Sequence, residues 1–79
     1  MIKNIVEKPL LPPKVIIVSK VEDIDEIIKL LNDHIPLIVN VMNIGSRQAF
    51  RLIDFLSGYC YAKMGKYKKI DKMIYRFEI

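Results

Sequence analysis

Apolar and polar positions alternate between two periods along the chain. Lys14 to Ser19 reads KVIIVS, β-branched and continuously apolar in its middle, which predicts a strand covered on both faces. A helix start follows. Asp23 is placed to cap it, and Glu26 three residues on completes a capping-box-like pair. Ile24, Ile27, Ile28 and Leu31 then fall at i, i+3, i+4 and i+7 as one apolar stripe, while Asp25, Glu26, Lys29 and Asn32 take the wet side. Asn32-Asp33-His34 ends the helix and Pro36 forbids its continuation. Ile35 to Met42 reads as a second buried strand. Strand, helix and strand within about 30 residues predict a right-handed βαβ unit with parallel strands.

Asn43-Ile44-Gly45-Ser46 reads as a turn with Ser46 as N-cap, and a second helix is predicted from Arg47 to about Met64. At 100° per residue its apolar positions make more than one stripe. Ala49, Ile53, Leu56 and Cys60 share one face, and Leu52, Phe55, Tyr59 and Ala62 share another. Phe50 and Tyr61 lie beyond the first face on its opposite side. A helix on one sheet needs about a 100° apolar face. This helix has about twice that, so it is expected to touch its own sheet and another body. Gly65 is the expected helix stop.

Tyr67–Ile70 and Met73–Ile79 then read as a hairpin turning at Asp71-Lys72. The expected fold is α/β: a two-layer sandwich of order β-α-β-α-β-β, with two helices packed on a mixed sheet, as a dimer. Residues 14–79 form the core domain. Pro9, Pro12 and Pro13 deny residues 1–13 a helix or a central strand, so they read as an arm or linker remnant.

Composition sharpens this picture. The chain has 79 residues, of which 52% are apolar, and so short a domain has a thin core. Some of the apolar surplus is expected at an interface. No apolar run approaches the ~18 residues that span a bilayer, and the N-terminus lacks the pattern of a secretion signal; a cytoplasmic protein is expected. A single cysteine, Cys60, permits no internal disulfide. The net charge of +4 is uneven. Residues 1–39 hold five basic and six acidic side chains, and residues 40–79 hold eight basic and three acidic ones. Lys63, Lys66, Lys68, Lys69 and Lys72 form a basic end that favours an acidic partner.

Catalytic chemistry finds little support. Gly45, Gly58 and Gly65 cannot make a GxGxxG or P-loop. One His and one Cys cannot supply a zinc site. His34 reads as a helix-end partner, Cys60 as core packing, and the carboxylates Glu22, Asp23, Asp25 and Glu26 as cap and dipole partners. No catalytic, cofactor-binding or metal-binding residue is assigned, and the chain is not expected to be an enzyme.

The second helix carries the strongest signal. Gly58 in mid-helix costs ~1 kcal/mol relative to Ala, which suggests close approach of another backbone or ring. Phe50, Phe55, Tyr59 and Tyr61 surround it on the helical wheel, as at an interface hot spot, and the lysines border it.

Arg51 to Gly65, RLIDFLSGYCYAKMG, strongly resembles the R-x-I/L-D-F-L-S-G-x-x-Y-A-x-x-G segment of the SepF family of cell-division proteins. Pro36-Leu37-Ile38-Val39-Asn40 looks like that family's "rPvvvN" strand. Val15-Ile16-Ile17-Val18 with the acidic helix after it, and the closing hairpin through Phe77, are similar too. The likeness covers residues 14–79.

The resemblance implies a non-enzymatic homodimer that binds the C-terminal tail peptide of the tubulin-like division protein FtsZ. It would hold FtsZ filaments at the division site on the inner face of the cell membrane. Phe55, Gly58, Tyr59 and Tyr61 are the expected pocket and dimer-interface residues, with Arg51 and Lys66 meeting tail carboxylates. Assembly beyond a dimer stays open. Membrane anchoring in the family uses a separate N-terminal amphipathic helix, which thirteen proline-interrupted residues are not expected to form. Membrane contact is therefore expected only through a segment outside this chain. The alternative is a small basic nucleic-acid-binding module, in which Tyr61, Tyr67 and Tyr75 stack bases and the lysines neutralise phosphates. Its support is weaker, and no nucleic acid is expected.

Overall fold

The computed structural model describes residues 12–79; all but the last two residues of the expected 1–13 arm lie outside them. The elements are β1 (Lys14–Ile17), α1 (Ile24–Asn32), β2 (Leu37–Asn40), α2 (Ser46–Ala62), β3 (Lys66–Asp71) and β4 (Ile74–Glu78). The four strands form one mixed sheet in the order β1-β2-β4-β3. β1 runs parallel to β2, which pairs antiparallel with β4, and β3 pairs antiparallel with β4 at the far edge. Two helices on a mixed four-stranded sheet make the expected two-layer α/β fold.

Both crossovers, β1-α1-β2 and β2-α2-β3, carry the chain across the sheet in the same direction. Two right-handed crossovers of that kind put both helices on one face. The core lies between the layers. It draws Ile27 and Leu31 from α1, Ala49, Leu52, Ile53, Leu56 and Cys60 from α2, and Val18, Leu37, Val39, Val41 and Phe77 from the sheet side. The other face of the sheet is uncovered in the protomer, which corrects the reading of both early strands as buried on two sides. Val15 and Ile17 on β1 are 59% and 56% exposed, and in β2 only Leu37 and Val39 are buried. An apolar run marks a strand in either setting; which face is covered depends on where the crossovers fall.

The helix ends also differ in detail from the sequence reading. Asp23 already has helical backbone angles and makes no side-chain cap for α1. Its carboxylate instead accepts the main-chain N–H of Ser19 at 2.8 Å and of Lys20 at 3.3 Å. It thereby closes a short 3-10 turn, Val21–Asp23, that leads into the helix. Gly45 rather than Ser46 occupies the N-cap of α2, with no side-chain bond; the Ala49 N–H donates to its carbonyl at 2.8 Å.

Both helices stop through the same device. In α1 the N–H of Ile35 reaches back to Leu30 O at 3.1 Å and that of His34 to Leu31 O at 2.9 Å; in α2 Gly65 reaches Cys60 O at 2.7 Å and Met64 reaches Tyr61 O at 3.0 Å. These are Schellman bonds, whose left-handed residue is usually glycine. Here it is His34 (φ 63°) and Met64 (φ 61°). Gly65 therefore ends the helix as the residue after the left-handed one, and its lack of a side chain serves another need. A Cβ there would collide with the Glu78 carbonyl oxygen and lie 2.9 Å from Ile79 Cα, so glycine admits the end of β4. His34 contributes at the same corner, its Nδ1 3.2 Å from the main-chain oxygen of Ile79.

Candidate functional site: the outer face of α2

The inner stripe of α2 is Ala49, Leu52, Ile53, Leu56 and Cys60, a 100° sector at 100° per residue. Leu52 therefore joins the core, while Phe55 and Ala62, expected beside it on a second face, are exposed. One sheet accounts for one stripe. The other rings stay in water: Phe50 (57%), Phe55 (54%) and Tyr61 (82%).

These residues have an order around the helix. Arg51, Gly58 and Ala62 project from the centre of the outward face; Phe55 lies about 40° to one side of Arg51, and Tyr61 about 80° to the other. Gly58 and Ala62 leave a low saddle beside the exposed Arg51 side chain, with Phe55 and Tyr61 on its rims. Gly58 has nothing within 4 Å of where a Cβ would stand. No neighbour in the protomer requires this glycine, although its cost in mid-helix remains.

Tyr59 holds one rim. It is half-buried, and its hydroxyl donates to Asn32 Oδ1 at 2.7 Å, tying α2 to the last residue of α1. Its ring stacks on Phe55 with centroids 6.3 Å apart and planes 17° apart. Lys63 Nζ sits 5.6 Å from the Tyr59 ring centroid, within cation–π range. Phe55 is thus an exposed ring held by a ring that is itself anchored.

Of the six residues singled out in the sequence, Arg51, Phe55, Gly58, Tyr59 and Tyr61 share this helix. Lys66 lies elsewhere. It begins β3 and lines an open depression of about 690 Å³ with Gly65, Tyr67, Lys68, Arg76 and Glu78. Sequence reasoning missed Lys68 and Arg76 as partners of Lys66, because only the β3–β4 register sets Lys68 opposite Arg76 and Lys66 opposite Glu78. Arg76 and Glu78 form an ion pair at 2.9 Å. Of the tyrosines behind the nucleic-acid alternative, Tyr67 and Tyr75 stack on buried Phe77 at 6.1 and 6.4 Å.

Cys60, behind the face, is buried and free. Burial pushes its thiol above the ordinary value of 9.0, and a main-chain hydrogen bond from Glu78 works the other way. Among the described residues no three His, Cys, Asp or Glu side chains gather as a metal-holding group, and no helix is long and apolar enough to cross a membrane.

Exposed rings beside Gly58, with Arg51 between them, make the outer face of α2 an apolar patch of the kind found at contact surfaces. The family model described as Cell division protein SepF matches residues 14–77. A Cell division protein SepF of Thermoanaerobacter sp. (strain X514) is 34% identical over 74 residues, 94% of this chain and 54% of the relative. One from Natranaerobius thermophilus is 37% identical over 59 residues, 75% of this chain and 35% of the relative. One from Clostridium perfringens (strain 13 / Type A) is 33% identical over 54 residues, 68% of this chain and 36% of the relative. The chain belongs to the SepF family of cell-division proteins. It spans about half the length of the first of these relatives and about a third of the other two.

Proposed function

We propose that this chain is a non-enzymatic adaptor that binds the C-terminal tail of FtsZ as a homodimer and links FtsZ filaments to the membrane at the division septum. It acts in the cytoplasm, on the inner face of the cell membrane, with membrane anchoring supplied by an N-terminal segment outside the described domain. The supporting observation is the outer face of α2. Exposed Phe55 and Tyr61 flank Gly58, whose missing side chain leaves open space in the protomer. A second subunit or a bound peptide closing on that saddle makes use of the glycine and removes the rings from water.

The roles follow from position. Phe55 and Tyr61 supply apolar contact, Gly58 allows close approach, and Tyr59 holds Phe55 in place. Arg51 on the helix and Lys66 at the β3 end meet carboxylates of the tail.

The experiment is a titration against a labelled FtsZ C-terminal tail peptide, with a scrambled peptide beside it. Saturable binding to the native tail alone, near one peptide per subunit, is expected. Phe55→Ala and Tyr61→Glu abolish it while leaving the fold intact, since exposed substitutions change stability by about 0.5 kcal/mol or less. A monomer by light scattering at tens of micromolar, or equal binding of the scrambled peptide, overturns the reading.

A further inference from the structure

The ten residues Lys63 to Lys72 run from the C-cap of α2 into the edge strand β3. They hold five lysines and one acid, Asp71, whose carboxylate accepts the Lys72 N–H at 2.7 Å. Every residue of β3 is exposed. Among the described residues none of these lysines has a carboxylate within ion-pair distance; the ion pair of this region is Arg76–Glu78. The register places Lys66 and Lys68 on one face of the edge, and Tyr67 and Lys69 on the other. Cations therefore flank the edge on both sides.

Lysines on an edge strand have a sufficient reason of their own, since they block edge-to-edge pairing. The apolar side chains between them do not share it. Met64 is 93% exposed, and Tyr67 and Ile70 about half. Met64 also holds the left-handed position of the helix stop, where glycine is the unstrained choice. A strained position thus presents a large apolar side chain to water, beside Lys63 and Lys66.

One environment suits both sets. At an anionic bilayer surface, ammonium groups meet headgroup phosphates while aliphatic side chains enter the acyl boundary and tyrosine sits at headgroup level. Nucleic acid fits less well, because Met64 and Ile70 offer no ring and Tyr67 is stacked on Phe77. A purely acidic peptide accounts for the lysines and not for the exposed Met64 and Ile70.

We propose that the α2–β3 edge is a contact surface for an anionic phospholipid bilayer. The domain thereby touches the membrane itself, where the family resemblance implies contact only through a segment outside it. The surface shares Lys66 with the proposed tail contact, and the substitutions that test it leave Lys66 and the outer face of α2 unchanged.

The test is co-sedimentation of the full 79-residue chain with phosphatidylcholine vesicles and with vesicles containing about one-third phosphatidylglycerol. Partition onto the anionic vesicles alone, falling with salt, is expected. A lysine at such a surface contributes about fivefold in affinity, so Lys68→Glu with Lys72→Glu lowers partition by more than tenfold. Met64→Ser with Ile70→Ser lowers it severalfold at unchanged charge. All four positions are exposed, and circular dichroism checks that the variants fold. Equal binding to neutral vesicles, or unchanged partition in both variants, overturns the proposal and assigns any affinity to another part of the chain.

Discussion

The Tyr59 hydroxyl donates to Asn32 Oδ1 at 2.7 Å across the junction of the two helices, and the same ring stacks on Phe55. One side chain thus serves the fold with its hydroxyl and the outer face of α2 with its ring. The two uses separate by substitution. Tyr59→Phe keeps the ring and leaves Asn32, which is exposed, to water; it costs about 0.5–1.5 kcal/mol in urea unfolding and leaves tail-peptide affinity nearly unchanged. Tyr59→Ala removes the support of Phe55 as well, and its loss of peptide affinity exceeds that of Tyr59→Phe at least tenfold in the same titration.

Gly58 and Gly65 respond to alanine in opposite directions. At Gly58 the new methyl enters open space, and replacing a mid-helix glycine stabilises the protomer by about 0.5–1 kcal/mol. For a domain of this size that raises Tm by about 4 °C, while association or peptide binding at the saddle weakens. At Gly65 the methyl meets the Glu78 main chain, and overpacking of this kind costs about 1–3 kcal/mol. Thermal unfolding of the two variants gives the signs, and the tail titration of Gly58→Ala tests whether another molecule uses the gap.

The elements were legible where one periodicity dominated. Ile24, Ile27, Ile28 and Leu31 marked α1, and the Arg51–Gly65 block marked α2 together with the family. What remained hidden depends on contacts distant in sequence. KVIIVS has the same apolar run whether one face or two are covered, so exposed Val15 and Ile17 needed the crossover geometry. Lys66, Lys68 and Arg76 come together only through a register that the hairpin residues do not encode individually. Asp23 and Ser46 are both good capping residues, the one just before α1 and the other at the first position of α2; main-chain geometry chose Asp23 for the turn before α1 and Gly45 for the N-cap of α2. The aromatic saddle was legible as an excess of apolar positions, because a single sheet covers only one stripe of a helix.

Ile53 tests the inner face directly. It is 7% exposed and packs in the core cluster between α2 and the sheet. Ile53→Ala leaves a cavity in a small core and costs about 2–5 kcal/mol, a large part of the stability of a domain this size. Unfolding by urea shows it as a lower midpoint at an unchanged slope. A shift below about 0.5 kcal/mol would contradict the placement of Ile53.

Cys60 couples stability to alkaline pH. Burial raises its thiol pKa above the ordinary value of 9.0, so the folded chain holds this proton more tightly than the unfolded chain does. The stability it contributes is full below pH 9.0, where both states are protonated. It is lost as the pH climbs from there through the raised value, because only the unfolded state gains by releasing the proton. Urea midpoints measured from pH 7 to pH 10.5 should fall more steeply for the unsubstituted chain than for Cys60→Ala, whose lower starting stability contains no thiol titration. Identical slopes would mean that the thiol is not held neutral by the packing of α2 against the sheet. Iodoacetamide gives an independent reading, since the thiolate is the reactive form: at pH 8 the folded chain is alkylated only as fast as it opens, and urea restores the rate of a free thiol.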